Sequence, residues 1–176
     1  MNKLGVIFIV IFIVIFGLLL YGCSDDKPVV EEPHSPQELN LTTLKPPMLH
    51  VSASAGKKST FVELGKYCWE EGDKICAIER NDPQELLLGL SAMSIEQGQK
   101  ISFGFSTSSA TYPDQLIEID KIELVQFYKS EESDVEVIGR DFNAPEEKGR
   151  YYYLAKLRWD GEITGEANFA FSLSVQ

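Results

Sequence analysis

Histidine is almost missing from this chain of 176 residues, with His34 and His50 the only two. Nucleophilic catalysis by serine or cysteine needs a base beside the nucleophile, so neither a serine hydrolase nor a cysteine peptidase is expected. Cysteine is nearly as scarce: Cys23, Cys68 and Cys76 are the full set. Two cysteines without a nearby histidine make a poor zinc site, and neither a His-Glu-x-x-His helix nor a glycine-rich phosphate loop is present. No metal and no cofactor are therefore expected. Positive charge is also in short supply, 16 Lys and Arg against 27 Asp and Glu, for a net charge of -11. Such a chain is repelled by phosphate backbones and anionic headgroups, which excludes nucleic acid as a partner and direct headgroup binding as a mode. Carboxylates are plentiful enough to supply a glycosidase pair, but no spacing singles one out.

Charge of either sign is missing altogether from Leu4 to Gly22. Lys3 precedes this run, whose apolar residues include Val6-Ile7-Phe8-Ile9-Val10-Ile11-Phe12, and a small residue, Gly22, closes it before Cys23. A basic start, an apolar middle and a small residue at the end form the layout of a secretory signal. The run is also long enough to span a bilayer as a helix, so its length alone leaves cleavage and retention open. In both cases Lys3 stays inside and the chain beyond residue 23 lies outside.

Leu20-Tyr21-Gly22-Cys23 resembles the bacterial lipobox, with an aliphatic residue three before the cysteine and a small one directly before it. Tyr21 departs from the small residue usual at its position. The resemblance implies that Cys23 is modified with diacylglycerol, that residues 1–22 are cut away as signal peptide, and that acyl chains hold the protein to the membrane. Two acyl chains give stable anchoring at about 0.8 kcal/mol per buried CH₂. An uncleaved amino-terminal helix with a chance cysteine at its end is the alternative. Removal of residues 1–22 takes away Lys3 and leaves 15 basic residues against 27 acidic, a net charge of -12.

Residues 23–47 are expected to be the lipidated cysteine and a tether, because five of the eight prolines fall there and large apolar residues are few. Residues 48–176 read as one domain. Cys68 and Cys76, outside the cytoplasm, are expected to pair, with Glu71-Gly72-Asp73 as the turn of a hairpin whose return strand covers Lys74 to Glu79. Free thiols or a metal site are the alternatives.

Period-two alternation predicts most of the remainder. Strands are expected over 49–53, 60–69, 92–95, 100–106, 117–129 with a bulge near Asp120-Lys121, 135–138, 151–159 and 167–175. Glu131 to Asp134 reads as a turn and Asn143 to Gly149 as a polar loop. Tyr151, Tyr153, Ala155, Leu157 and Trp159 share one strand face; Ala167, Phe169, Phe171, Leu173 and Val175 share another. One helix signal stands out, Asp82-Pro83-Gln84-Glu85, with an acceptor at the cap, proline at the first position and Gly89 as the stop. About nine strands joined by short turns favour an all-β fold, an antiparallel immunoglobulin-like β-sandwich.

Gly65-Lys66-Tyr67-Cys68-Trp69, the second cysteine Cys76, the Asp82 to Leu87 segment, Gln97-Gly98-Gln99-Lys100-Ile101 and the closing aromatic hairpin together resemble small predicted lipoproteins of Gram-positive bacilli. That resemblance implies an extracellular β domain on the outer face of the cell membrane. It carries no activity and supplies no site residues.

Aromatic rings are the best lead to a binding surface, because exposed rings stack on sugars and anchor protein partners. Trp69 beside the expected disulfide, Tyr112 in a loop, and Tyr152, which alternation sets opposite Tyr151 and Tyr153, are the candidates. Tyr67, Phe142 and Trp159 also stand near loops or strand ends. For Trp69 and Trp159 the competing reading is core. The acidic stretch Glu131 to Glu136 lacks the ligand order of a known calcium loop, and the competing reading is protection of a sheet edge. A non-catalytic module that binds another envelope protein is the expected function. A cell-wall glycan-binding module is the runner-up and an envelope hydrolase the third.

Overall fold

A computed structural model describes residues 44–53, 57–70, 76–106 and 116–176, and all structural statements concern these. Ten strands form two sheets. The smaller sheet holds β1 (Met48–Ala53), β2 (Lys58–Phe61), β5 (Lys100–Ser106) and β8 (Asp141–Asn143), in the order β2-β1-β5-β8. In the larger, β3 (Glu63–Trp69), β10 (Thr164–Val175), β9 (Gly149–Asp160), β6 (Lys121–Tyr128) and β7 (Glu131–Val135) follow one another in that order. β4 (Met93–Ile95) runs parallel to the end of β10, and every other pairing is antiparallel.

Alternation builds the core as expected. On β9, Tyr151, Tyr153, Ala155, Leu157 and Trp159 are buried, and on β10 so are Ala167, Phe169, Phe171, Leu173 and Val175. Leu49, Val51, Ile101 and Phe103 close the core from the smaller sheet. Tyr153 stacks on Phe171 at 4.8 Å, and Phe103 meets the same ring edge-on at 6.0 Å. Such offset and edge-to-face pairs add to the burial of the rings. This is an all-β sandwich of two sheets with one short helix.

Several elements differ from expectation. The stretch 60–69 splits at buried Val62 between the two sheets: β2 pairs with β1, and β3 pairs with β10. The expected return strand is not formed over its described part, since Cys76 to Arg80 is irregular; Lys74, Ile75 and the turn at 71–73 lie outside the described residues. β10, twelve residues long, supplies the ladder that β3 was expected to find there. Instead of a bulge near Asp120-Lys121 the strand begins at Lys121; the phase change arises because buried Leu116 and the residues after it precede the sheet. Glu131 to Asp134 is strand rather than turn, and Val137-Ile138 lies beyond it. The turn falls one step earlier, at Lys129-Ser130, where both residues have positive φ. Ordered packing begins before residue 48: Pro46 and Pro47 are buried and Leu44 packs on the core, at the end of the stretch expected as tether.

The helix stands where its signals put it. Helix α1 (Pro83–Leu86) has Asp82 as its cap, whose carboxylate accepts from Gln84 N at 2.7 Å, and Gly89 follows with φ of 81°. Leu86 and Leu87 pack on the outer face of the larger sheet, against Leu154 and Ala170.

Candidate binding face of the larger sheet

Cross-strand register maps this outer face. One row runs Asp134, Val125, Leu154, Ala170, and the next runs Glu132, Phe127, Tyr152, Ser172. Glu123 and Lys156 continue the pattern towards Asn168. The face is thus apolar in the middle and charged at the β7 margin, unlike the wholly polar outer face of a solvated sandwich sheet.

The segment from Cys76 to Leu90 lies across part of it as a strap. The Cys68–Cys76 disulfide fixes one end, with Cα atoms 5.8 Å apart. Cys76 N donates to Glu70 Oε1 at 3.3 Å, and on the edge of β3 Lys66 N donates to Asn81 Oδ1 at 2.8 Å, a side-chain acceptor in place of a backbone ladder. Asn168, 1% exposed, donates from Nδ2 to Glu79 O at 2.9 Å, next to the register shift where β10 passes β3. Gly65 is what lets Asn81 approach, because a Cβ there would collide with Asn81 Oδ1. Farther along, Arg80 pairs with Glu132 at 2.6 Å and lies 5.9 Å from the centre of the Phe127 ring. Arg150 covers Tyr152 at 5.0 Å and donates to Leu90 O at 2.9 Å.

Between strap and β7 a groove of about 570 Å³ remains open, with Val125 and Leu154 in its floor and Arg80, Glu132, Asp134 and Lys156 around it. Lys156 is held by Glu166 at 2.9 Å, and Lys121 by Glu123 at 2.5 Å. The Lys121 hydrogen bond holds Glu123 below the usual carboxylate range, so the group is ionised at neutral pH. Asp134 makes no ion pair among the described residues. These groups can hold a ligand by charge and apolar contact.

The residues singled out in the sequence do not converge. Trp69 is half-buried on the inner side, edge-on to Trp159 at 5.1 Å, with its Nε1 donating to Leu44 O at 2.6 Å. Trp159 is core, and its Nε1 donates to Leu116 O at 3.0 Å. Phe142 is also buried, contrary to its reading as a ring near a loop, because β8 turns it between the sheets, and Tyr151 and Tyr153 are buried as the alternation along β9 predicts. Tyr152 is half-buried on the outer face, so the larger sheet separates it from Trp69. Tyr112, Cys23 and His34 lie outside the described residues; His50 lies in β1, over Gly104. Arg80 and Phe127 were missed, and Glu132 and Asp134 entered only as part of the acidic stretch read as protection of a sheet edge. A signal for Phe127 existed in β6, where Val125 and Phe127 bring apolar side chains to the face opposite Ile122 and Leu124.

No protein-family model matches this chain, and no curated protein and no solved structure matches it either.

Proposed function

We propose that this protein is a lipid-anchored β-sandwich on the outer face of a Gram-positive cell membrane that works without catalysis, by binding another envelope protein. The anchor rests on the uncharged run from Leu4 to Gly22 and on Leu20-Tyr21-Gly22-Cys23, with cleavage before Cys23 and residues 24–43 as tether. The sandwich is of the immunoglobulin-like type. In support, β6, β9 and β10 stand side by side like strands C, F and G of that architecture, and β5 next to β8 like B and E.

The observation that carries the binding role is the open groove, with an apolar floor at Val125 and Leu154 and charges at its rim. Apolar centres with polar rims are the pattern of protein interfaces. Glycan recognition is the weaker reading because a stacking platform needs neighbouring exposed rings, and Trp69 and Tyr152 lie on opposite sides of the sheet.

Capture by the full chain in non-ionic detergent separates the readings, with purified wall sacculi and solubilised membrane proteins offered separately. We expect one discrete membrane protein, retained by the wild-type chain and lost with Val125→Arg. Retention on sacculi that disappears with Tyr152→Ala would replace this reading by the glycan-binding one.

A further inference from the structure

The β7 edge narrows the partner's chemistry, and this step rests on the binding role proposed above. We propose that β7 accepts an extended segment of the partner as an added antiparallel strand, and that this segment carries Lys or Arg at alternate positions. β7 ends the larger sheet: β6 pairs with one side, and among the described residues no strand pairs with the other.

Register decides what that free edge offers. Tyr128 and Glu131 close the two-residue turn. In an antiparallel hairpin the closing pair exchanges both hydrogen bonds, and every second pair beyond it does the same. Glu131, Ser133 and Val135 therefore turn their N–H and C=O groups towards β6, whereas Glu132 and Asp134 turn theirs outward. An added antiparallel strand bonds to those two residues and places its own side chains directly opposite theirs, with Cα atoms about 5.5 Å apart.

Glu132 and Asp134 both line the groove, so the facing residues of the added strand lie along the same rim. Opposite charges in such cross-strand positions attract, and like charges repel. A second copy of β7 would set carboxylate against carboxylate, so the edge resists self-pairing as protected edges do. It remains open to a strand of opposite charge. Val125 and Leu154 give the long stems of lysine or arginine an apolar surface to lie on. Five residues of strand correspond to roughly 17 Å of pairing.

The test uses the full chain in non-ionic detergent and three fluorescein-labelled peptides of equal length. One alternates Lys with Val, one alternates Nα-methyl-lysine with Val at the same charge, and one alternates Glu with Val. By fluorescence anisotropy the Lys-Val peptide is expected to bind about tenfold or more tighter than the other two, a ratio that outward backbone bonds and an ion pair at Asp134 can supply. Asp134→Pro removes one outward N–H without touching the β6 ladder and should abolish that preference; Asp134→Lys, which changes only charge, serves if the proline variant melts early. Equal binding of the Nα-methyl-lysine peptide, whose residues facing Glu132 and Asp134 have no N–H to donate, would overturn the proposal. So would absence of Lys-Val binding or its persistence in a folded Asp134→Pro chain. A membrane partner still captured while the Lys-Val peptide fails would sink the edge alone; peptide binding without any captured partner would sink the envelope-protein role and leave the edge standing.

Discussion

Lys129 and Ser130 hold φ of 49° and 67° in the β6–β7 turn, a region where a side chain costs an L-residue about 1–2 kcal/mol. Both primed hairpin positions favour Asn or Gly, and here neither is present. Tyr128 helps hold the turn's flank: its ring stacks on Tyr151 at 4.2 Å, its hydroxyl lies 3.0 Å from Glu147 Oε1, and Lys129 Nζ rests 4.5 Å from the ring centre. Ser130→Gly should accordingly stabilise the protein by about 1 kcal/mol, read as a higher midpoint in chemical denaturation. The same absence of turn chemistry explains why the sequence misplaces this turn into Glu131 to Asp134, where acidic residues look like a loop. At Gly65 the expectation reverses. Ala there would displace Asn81 Oδ1 from Lys66 N and Asn168, and leaving such groups unpaired costs about 1–3 kcal/mol. Gly65→Ala should therefore lower the denaturation midpoint, with the loss largely suppressed when Asn81→Ala is already present.

Among the elements, the strap is the one that depends on a covalent bond. Closing the short loop between Cys68 and Cys76 contributes about 2–3 kcal/mol in the chain-entropy model. The double variant Cys68→Ser, Cys76→Ser is expected to lose about that much, with amide exchange accelerating first in residues 76–82, while β9 and β10 keep their protection. Exchange that quickened equally in β9 and β10 would mean that the strap is no separate unit. The legibility of elements follows the same division. β9 and β10 were readable because one face is buried along their whole length, and α1 because Asp82, Pro83 and Gly89 are local signals. The return strand after Cys68 was misread because Lys66 N on the edge of β3 is satisfied by the Asn81 side chain and the ladder of β3 lies with β10, some hundred residues later in the chain. Nothing near Cys76 records that pairing.

For the whole molecule, Leu44 lies beside Trp69 and Trp159 at the β9–β10 turn, while Leu90 O accepts from Arg150 near the other end of β9. The candidate site was legible only in part: alternation correctly set Tyr152 apart from Tyr151 and Tyr153, but rings alone do not reveal which faces meet a strap. Arg80 reaches Glu132 across 52 positions of sequence, a proximity that only the folded sheet creates. The expectation about location, in contrast, rests on one continuous stretch, Leu4 to Cys23. The most direct test of the account is mass spectrometry of the amino terminus of protein extracted from membranes of the native host. We expect the mature chain to begin at Cys23 and to carry diacylglycerol on its sulfur, and Cys23→Ala to abolish both the cleavage and the lipid. A chain that still begins at Met1 with Cys23 unmodified would contradict the lipid anchor on which the account of this protein rests.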